Sequence, residues 1–420
     1  MSPARRCAVR VLRRVFEQGA YADRALRGEA ANLHRRDRAL ASALAYGTIQ
    51  RRATLDHVAE QLSSRPLSTL DPPVLAALRL GLFQLLFLGG VPDHAAVDDS
   101  VELAKPRGEK FVNAVLRRAV DEGAEIVSRL GDSTPAEAAL RHSLPSWLAQ
   151  MWWGELGPEQ ALALMRRCNE PAESSLRVNT LVADALSVRE RLPVSSSPAA
   201  DIPEGLVLEG PFDAHGSALF ADGAIMPQSR ASMRVARLVA PRSGERVLDL
   251  CAAPGAKTTH LAALMEDSGQ VVAIERHRGR AAALRRTCGR MRASSVEVKV
   301  GDAAELDDGA GTFDKVLVDP PCSGLGTLQS RADLRWRVTP ETLQELAALQ
   351  KRIVAAGAQA LAPGGALVYS VCTIARAESE AVVQALLEQH SELSVEHELQ
   401  LLPHRDRTDG FYIAVLRSHA

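Results

Sequence analysis

The sequence predicts a multidomain chain: an all-α bundle, then a small α+β subdomain, then an α/β domain with a mostly parallel sheet. Three observations predict it. Apolar residues recur at helical spacing through the first 120 residues. Two short strand-like runs flank a serine–proline stretch within residues 150–225. From about Val235, short apolar runs alternate with segments of helical period, the pattern of strands joined by helical crossovers. The expected boundaries are 1–125, 126–225 and 226–420.

In the first part, Val9, Leu12, Val15 and Phe16 share a helical face, as do Leu40, Leu44 and Ile49. The stretch 73–89 is apolar on nearly every side, which marks a helix central to a bundle. Residues 111–118 supply a closing helix. Gly19, Gly47, Pro66, Pro92 and Pro106 read as the breaks between helices. His94, just before an apolar helix, reads as a cap or packing residue. Residues 121–150 read as a helical connector, which Trp152, Trp153 and Met165 are expected to pack. Strands are expected at 176–181 and 206–208, with 195–200 a loop. In the last part, strands are expected at 246–250, 271–274, 296–300, 313–318 and 366–370, with 341–361 a helix.

The 420 residues are 46% hydrophobic and 24% charged, an ordinary globular composition. The net charge of −1 excludes a protein that coats nucleic acid along its whole length. The balance is uneven, however: residues 1–120 hold nineteen basic and twelve acidic side chains, so one end can meet a polyanion. The six cysteines include no C-x-x-C pair, so neither a zinc knuckle nor a disulfide scaffold is expected, and no metal. The longest apolar run, 80–91, is too short to span a bilayer, and no apolar signal core follows the N-terminal arginines. These features fit a reduced, cytoplasmic protein with no membrane partner.

Ligands of open α/β sheets bind beyond the carboxyl ends of the strands. The first strand runs into Asp249-Leu-Cys-Ala-Ala-Pro-Gly-Ala-Lys257, a turn of small residues. The second ends at Glu275, about 20 residues beyond the glycine-bearing turn, where an acid suits paired ribose hydroxyls. The third ends in Gly301-Asp302, where a carboxylate can accept from an adenine amino group, and the fourth in Asp319-Pro-Pro-Cys-Ser-Gly324. Together they describe a nucleoside pocket. There is no phosphate-binding G-x-x-x-x-G-K-[ST] and no clean G-x-G-x-x-G, which disfavours a nicotinamide cofactor.

Cys7, Cys168 and Cys288 read as small core residues. Cys322 and Cys372 instead follow strands at the open edge of the sheet. Carbon 5 of cytosine is a poor nucleophile. A thiolate added to carbon 6 turns the ring into an enamine and makes carbon 5 reactive. A carboxyl such as Asp319 can hold N3 as the adduct forms. A second cysteine can assist the elimination that follows; the residues alone do not say which of the two attacks.

Asp249-Leu-Cys-Ala-Ala-Pro-Gly-Ala-Lys, Asp319-Pro-Pro-Cys-Ser-Gly and Ser370-Val-Cys-Thr resemble the signatures of the Sun/RsmB-type RNA cytosine-5 methyltransferases. Arg36-Asp-Arg-Ala-Leu, Tyr46-Gly-Thr-Ile, Val91-Pro-Asp-His-Ala-Ala-Val and Phe111-Val-Asn-Ala-Val-Leu-Arg look like that family's N-terminal RNA-binding domain, which is similar to the antitermination factor NusB. Asp409-Gly-Phe-Tyr matches its last strand region. The resemblance covers nearly the whole chain. It implies a NusB-like bundle and a Rossmann-like methyltransferase domain that uses S-adenosylmethionine. It implies 16S ribosomal RNA, unassembled or partly assembled, as partner, and a monomer. It also implies that Cys372 is the nucleophile and that Cys322 aids product release. The cofactor would lie against Cys251, Ala252, Ala253, Pro254, Gly255, Ala256, Lys257, Glu275, Arg280, Asp302 and Asp319. Where the family has Gly-Gly-Lys this chain has Gly255-Ala256-Lys257, which bears on affinity; the ribose acid is more often Asp than Glu. Gln228-Ser229 lacks the acid that commonly follows, and Ser229 has no assigned role.

Seven arginines and no acid lie between Arg276 and Arg292. Read against a plain solvated helix face, they offer a phosphate-tracking edge. Arg331, Arg335 and Arg337 around Trp336 suit either RNA stacking or lid packing. Arg5, Arg6, Arg10, Arg13 and Arg14, and Arg35, Arg36 and Arg38, form basic patches on the bundle. The target base must be unpaired, because a thiolate cannot reach carbon 6 inside a stacked helix. Competing readings are a transfer RNA target, methylation of an exocyclic nitrogen, which needs no cysteine, and a non-enzymatic RNA-binding factor.

Overall fold

The computed structural model describes residues 2–306 and 312–419. The chain divides into two compact units. The first is Met1–Pro171 together with Leu328–Val338; the second is Ala172–Thr327 together with Thr339–Ala420. Among the described residues no helix is long and apolar enough to cross a membrane.

The first unit begins as a bundle of helices: Pro3–Gln18, Ala22–Glu29, Arg35–Gln50, Arg52–Leu62, Pro72–Leu86, Asp93–Leu103 and Glu109–Ser128. Helix Pro72–Leu86 is central, touching helices Pro3–Gln18, Arg35–Gln50, Arg52–Leu62, Asp93–Leu103 and Glu109–Ser128. Ten of its residues in succession from Val74, bar Leu75, are buried. Its buried Arg79 is tied by a two-pronged bond to Asp56, 2.6 and 2.8 Å. Gly47 is not a break. It lies inside helix Arg35–Gln50, where a Cβ would overlap the Phe83 ring. A glycine there lets two helices approach, a role that composition cannot tell from a turn. His94 is neither a cap nor packed: it stands exposed on the first turn of Asp93–Leu103, and Pro92 holds the N-cap position.

Helices Pro135–His142, Ser146–Leu156 and Pro158–Arg167 follow, and Trp152 and Met165 are fully buried among them. Leu328–Val338 completes this unit. Arg335 is fully buried and donates to the carbonyls of Gln50, Ser143, Cys168 and Leu328 and to Asn169 Oδ1, 2.9–3.3 Å. Trp336 donates to the Ile49 carbonyl at 2.7 Å, and Arg337 to that of Gly19 at 2.8 Å. Arg335 is thus a packing residue, Trp336 and Arg337 are partly exposed and anchored within the unit, and Arg331 is exposed. The basic patches are also partly spent within the unit: Arg5 pairs with Asp99 and Gln84, Arg13 with Glu17, and Arg14 with Glu29.

The second unit opens with a four-stranded antiparallel sheet of β1 (Ser175–Val178), β2 (Ser196–Ala199), β3 (Ile202–Leu208) and β4 (Ile225–Pro227), in the order β2-β3-β1-β4. Strand β2 occupies the stretch expected to be a loop. It sits at the sheet edge, pairing only with β3, where Pro198 and small residues are tolerated and side-chain pattern is weak.

The larger sheet holds β5 (Arg246–Leu250), β6 (Gln270–Glu275), β7 (Val296–Val300), β8 (Phe313–Val318), β9 (Leu361–Val371), β10 (Leu393–Leu401) and β11 (Phe411–Ser418), in the order β10-β11-β9-β8-β5-β6-β7. Strands β5 to β9 pair in parallel, and β11 runs antiparallel between β9 and β10. Both faces are covered. Leu248, Val316 and Leu367 join one core; Val247, Leu317 and Val368 join the other. Burial on both faces explains why these strands read as continuous apolar runs. Strand order reverses between β5 and β8, the place where such sheets open to ligand.

Candidate active site at the carboxyl edge of the sheet

The turn after β5 carries Cys251, Ala252, Ala253, Pro254 and Gly255 into helix Ala256–Leu264. Gly255 has φ +104°, and a Cβ there would press on Leu284 and Thr287. Its glycine therefore serves helix packing as well as the tight turn. Thr258 donates to Asp249 Oδ2 at 2.6 Å, while Asp249 Oδ1 is buried without a partner. Burial pushes Asp249 up to about 7, with Thr258 opposing and Asp319 adding. Burial also pushes the Cys251 thiol up to about 12, with Asp319, Asp249 and Glu275 reinforcing. Cys251 thus stays a neutral thiol.

Glu275, nearly fully buried at the end of β6, accepts from the His277 N–H at 2.8 Å. Arg280 reaches from helix Arg278–Arg290 to Glu275 Oε2 at 3.3 Å and to the Ala253 carbonyl at 2.8 Å. It is a strut joining the acid to the turn. Asp302, past β7, accepts from the Ala304 N–H at 3.0 Å and lies 3.6 Å from Arg276. Of the other arginines in that stretch, Arg290 stacks on Phe220 and donates to the Phe220 carbonyl, and Arg285 donates to the Val298 carbonyl. Arg278, Arg286 and Arg292 stay exposed.

Asp319, past β8, is held at both oxygens. Lys257 Nζ donates to Oδ2 at 2.7 Å and Ser370 Oγ to Oδ1 at 2.9 Å. Burial pulls the Lys257 ammonium down, but Asp319 and Cys372 outweigh it and hold it above the usual lysine value. Its Nζ also lies 5.3 Å from the centre of the Phe411 ring, in the segment after Asp409.

Cys322 and Cys372 come together because β8 and β9 are parallel neighbours. Their sulfurs are 3.2 Å apart and both residues are partly exposed. The hydrogen bond to Cys372, followed by burial, holds the Cys322 thiol well above its ordinary value, so Cys322 keeps its proton. The Asp-Pro-Pro-Cys loop is fixed by backbone: Gly326 N donates to the Cys372 carbonyl at 3.0 Å, and Gly410 N to the Gly326 carbonyl at 2.8 Å. Cys7, Cys168 and Cys288 are buried.

Sequence reasoning missed Ser370, Gln350, Thr373 and Glu378, which surround the cysteines, and it assigned no role to Asp249 as an acceptor. Ser370 and Thr373 had a signal, flanking Cys372 in the quoted Ser370-Val-Cys-Thr motif. Ser229 proves to be an N-cap, accepting from Ser232 N. Its neighbour Gln228 accepts from Arg177, whose other nitrogen donates to Thr259 at 2.8 Å. That bond fixes β1 to the helix that carries Lys257.

A reversed parallel sheet, with a small-residue turn and acids at successive strand ends, is the architecture of a Rossmann-like methyltransferase, and this chain is one. Residues 236–417 match the family model described as 16S rRNA methyltransferase RsmB/F; residues 2–121 match the NusB family; residues 144–215 match the RsmF/B-like ferredoxin-like domain. The chain is 35% identical to the probable ribosomal RNA small subunit methyltransferase B of Synechocystis, over 99% of this chain and 100% of that one. It is 36% identical to the ribosomal RNA small subunit methyltransferase B of Thermus thermophilus, over 91% and 89%. A methyltransferase homolog protein from Pyrococcus horikoshii superposes with a TM-score of 0.62 at 27% identity, covering 68% of this chain and 99% of that one. The chain belongs to the RsmB/F family of rRNA methyltransferases.

Proposed function

We propose that the chain methylates carbon 5 of one unpaired cytosine in 16S ribosomal RNA through a covalent adduct on Cys372. The observation that carries this is the pair of sulfurs 3.2 Å apart on the strand ends next to Asp319. An enzyme that methylates an exocyclic nitrogen has no use for them.

The donor set fits S-adenosylmethionine. Glu275 suits ribose hydroxyls, Asp302 an adenine amino group, and the turn from Cys251 to Lys257 the rest, with the orphaned Asp249 oxygen a spare acceptor. When bound, S-adenosylmethionine supplies the electrophilic methyl group that the activated carbon takes.

Cys372 as thiolate bonds to carbon 6, and the ring electrons move toward N3. As charge builds at N3, Asp319 passes it a proton drawn from the Lys257 ammonium and takes that proton back once carbon 5 has accepted the methyl group, while Ser370 keeps the carboxyl in place. After methylation, water takes the carbon 5 proton, the C5–H electron pair re-forms the C5–C6 double bond, and the Cys372 sulfur departs as thiolate with the electron pair of the broken C6–S bond. Cys322, in contact with that sulfur and holding a proton, assists the departure.

The test is bisulfite sequencing of 16S ribosomal RNA from a deletion strain complemented with variants. The deletion should lose one 5-methylcytosine. Cys372→Ser should fail to restore it, with activity down by at least about 100-fold. Cys322→Ser should leave RNA covalently held on the protein, seen in denaturing gels. Restoration by Cys372→Ser would sink the mechanism.

A further inference from the structure

Behind the two sulfurs lies a carboxylate that no step above uses. Glu378 is wholly buried, in the short turn Arg376–Glu378 after β9. A buried glutamate persists where its oxygens are engaged, and these are. Oε1 accepts from the Ser323 N–H and from Gln350 Nε2, each at 2.9 Å. Oε2 accepts from Thr373 Oγ1 at 3.0 Å and from Ser323 Oγ. Ser323 immediately follows Cys322, and Thr373 immediately follows Cys372. The two hydroxyls also meet each other at 2.9 Å. Gln350 donates to the Pro321 carbonyl as well, at 2.9 Å, and the Tyr369 hydroxyl donates to the Glu378 carbonyl at 2.7 Å.

We infer that Glu378 is a positioning residue: by gripping the residue after each cysteine, it latches two separate segments together and keeps the two sulfurs in contact. The inference deepens the methylation reading and rests on it for the use of both sulfurs. The segments come from different strand ends; Gly326 N to the Cys372 carbonyl and Ser370 Oγ to Asp319 Oδ1 also tie them, but at the residues directly after the cysteines the ties run through this carboxylate and the hydroxyls on it. A misplacement of about 1 Å at a reacting centre costs roughly 100-fold in rate.

The conservative variant is informative. In Glu378→Gln the remaining carbonyl oxygen can serve the two obligate donors, Ser323 N–H and Gln350. The new amide N–H then faces two hydroxyls, which accept as readily as they donate. Every tie survives in Gln; in Ala the four to the carboxylate are lost and only the contact between the two hydroxyls is left. Thr373→Val, a change of similar shape, removes two, the bond to Glu378 and the contact with Ser323.

The experiment uses the full chain and two readouts. One is kcat and KM for methyl transfer to 16S ribosomal RNA. The other needs neither RNA nor cofactor: the rate at which diamide cross-links Cys322 to Cys372, read by mass spectrometry of unreduced peptides. The S–S bond forms as the diamide N=N bond takes up the two electrons and two protons released. Glu378→Ala should lower kcat by about 100-fold with both KM values within about threefold, and slow the cross-link by about tenfold. Glu378→Gln should stay within about threefold of wild type in both. Thr373→Val should fall between, and decides the matter where Glu378→Ala does not fold. A wild-type cross-linking rate in Glu378→Ala, or in Thr373→Val where that variant decides, overturns the latch, as does a Gln variant as impaired as Ala. Should the wild type leave carbon 5 unmethylated while cross-linking still follows residue 378, the methylation reading fails and the latch stands.

Discussion

Asp249 shows how one buried oxygen alters the behaviour of the molecule. Its folded-state acid lies at about 7, pushed there first by burial, against a usual value near 3.8. Between those values the folded chain holds a proton that the unfolded chain has released. Stability therefore falls as pH rises from about 4 to about 7, and the deficit remains above 7. Between pH 5 and pH 8, the wild type without cofactor should lose on the order of 2–3 kcal/mol more stability than Asp249→Asn. Urea unfolding at the two pH values measures this; equal losses would refute it. At this scale the sequence was uneven to read. Asp319, Cys322 and Cys372 were legible because chemistry and position agreed: reactive side chains directly after strands. Glu378 was not, since Ser323 and Gln350 lie 55 and 28 residues away in the chain and no local pattern records them. Arg335 stayed open between RNA contact and packing, because arginine composition does not tell a buried donor from an exposed one.

Strands β5 and β8 stand where the apolar runs placed them, because strands buried on both faces leave a strong local record. Strand β7, at the sheet edge and largely exposed, stands where expected on the alternation of Val-Glu-Val-Lys-Val instead. Strand β2 left none, since an edge strand is defined by the backbone it pairs with. The helix break expected at Gly47 failed for a related reason: only the packed partner, Phe83, explains that glycine. Gly326 is a sharper case. It joins the Asp-Pro-Pro-Cys loop to the Cys372 segment on one side and to Gly410 on the other, and a Cβ there would overlap the Gly410 carbonyl oxygen. Backbone on that side cannot swing away as a side-chain tip can. Gly326→Ala should cost about 3 kcal/mol in denaturant unfolding and lower methyl transfer, whereas Gly364→Ala, which has open space around it but a positive φ of 71°, should cost less and spare activity. Equal activity in the two variants would argue against the loop junction.

At the scale of the whole molecule, the chain leaves the second unit after Thr327, spends eleven residues in the first, and returns at Thr339. Arg335 secures that excursion through acceptors that would otherwise be buried and unpaired. All four tryptophans, Trp147, Trp152, Trp153 and Trp336, belong to the first unit. Tryptophan fluorescence, excited selectively over Tyr369 and Tyr412 of the second unit, therefore follows the first unit. Arg335→Met should move the fluorescence-detected urea midpoint down, by an equivalent of roughly 3 kcal/mol. An unmoved midpoint would mean that the five bonds contribute nothing net.

The excursion also bears on how such a gene can be rearranged. Cutting away the first 171 codons would not yield a clean catalytic half. Ala332, Arg335 and Trp336 would be left in water, robbed of everything that shelters them, a few positions downstream of the reactive loop. Shedding or acquiring the front half is thus a two-site edit, and a lineage that made only the first would inherit a sticky, unsupported segment in the middle of its catalytic sequence.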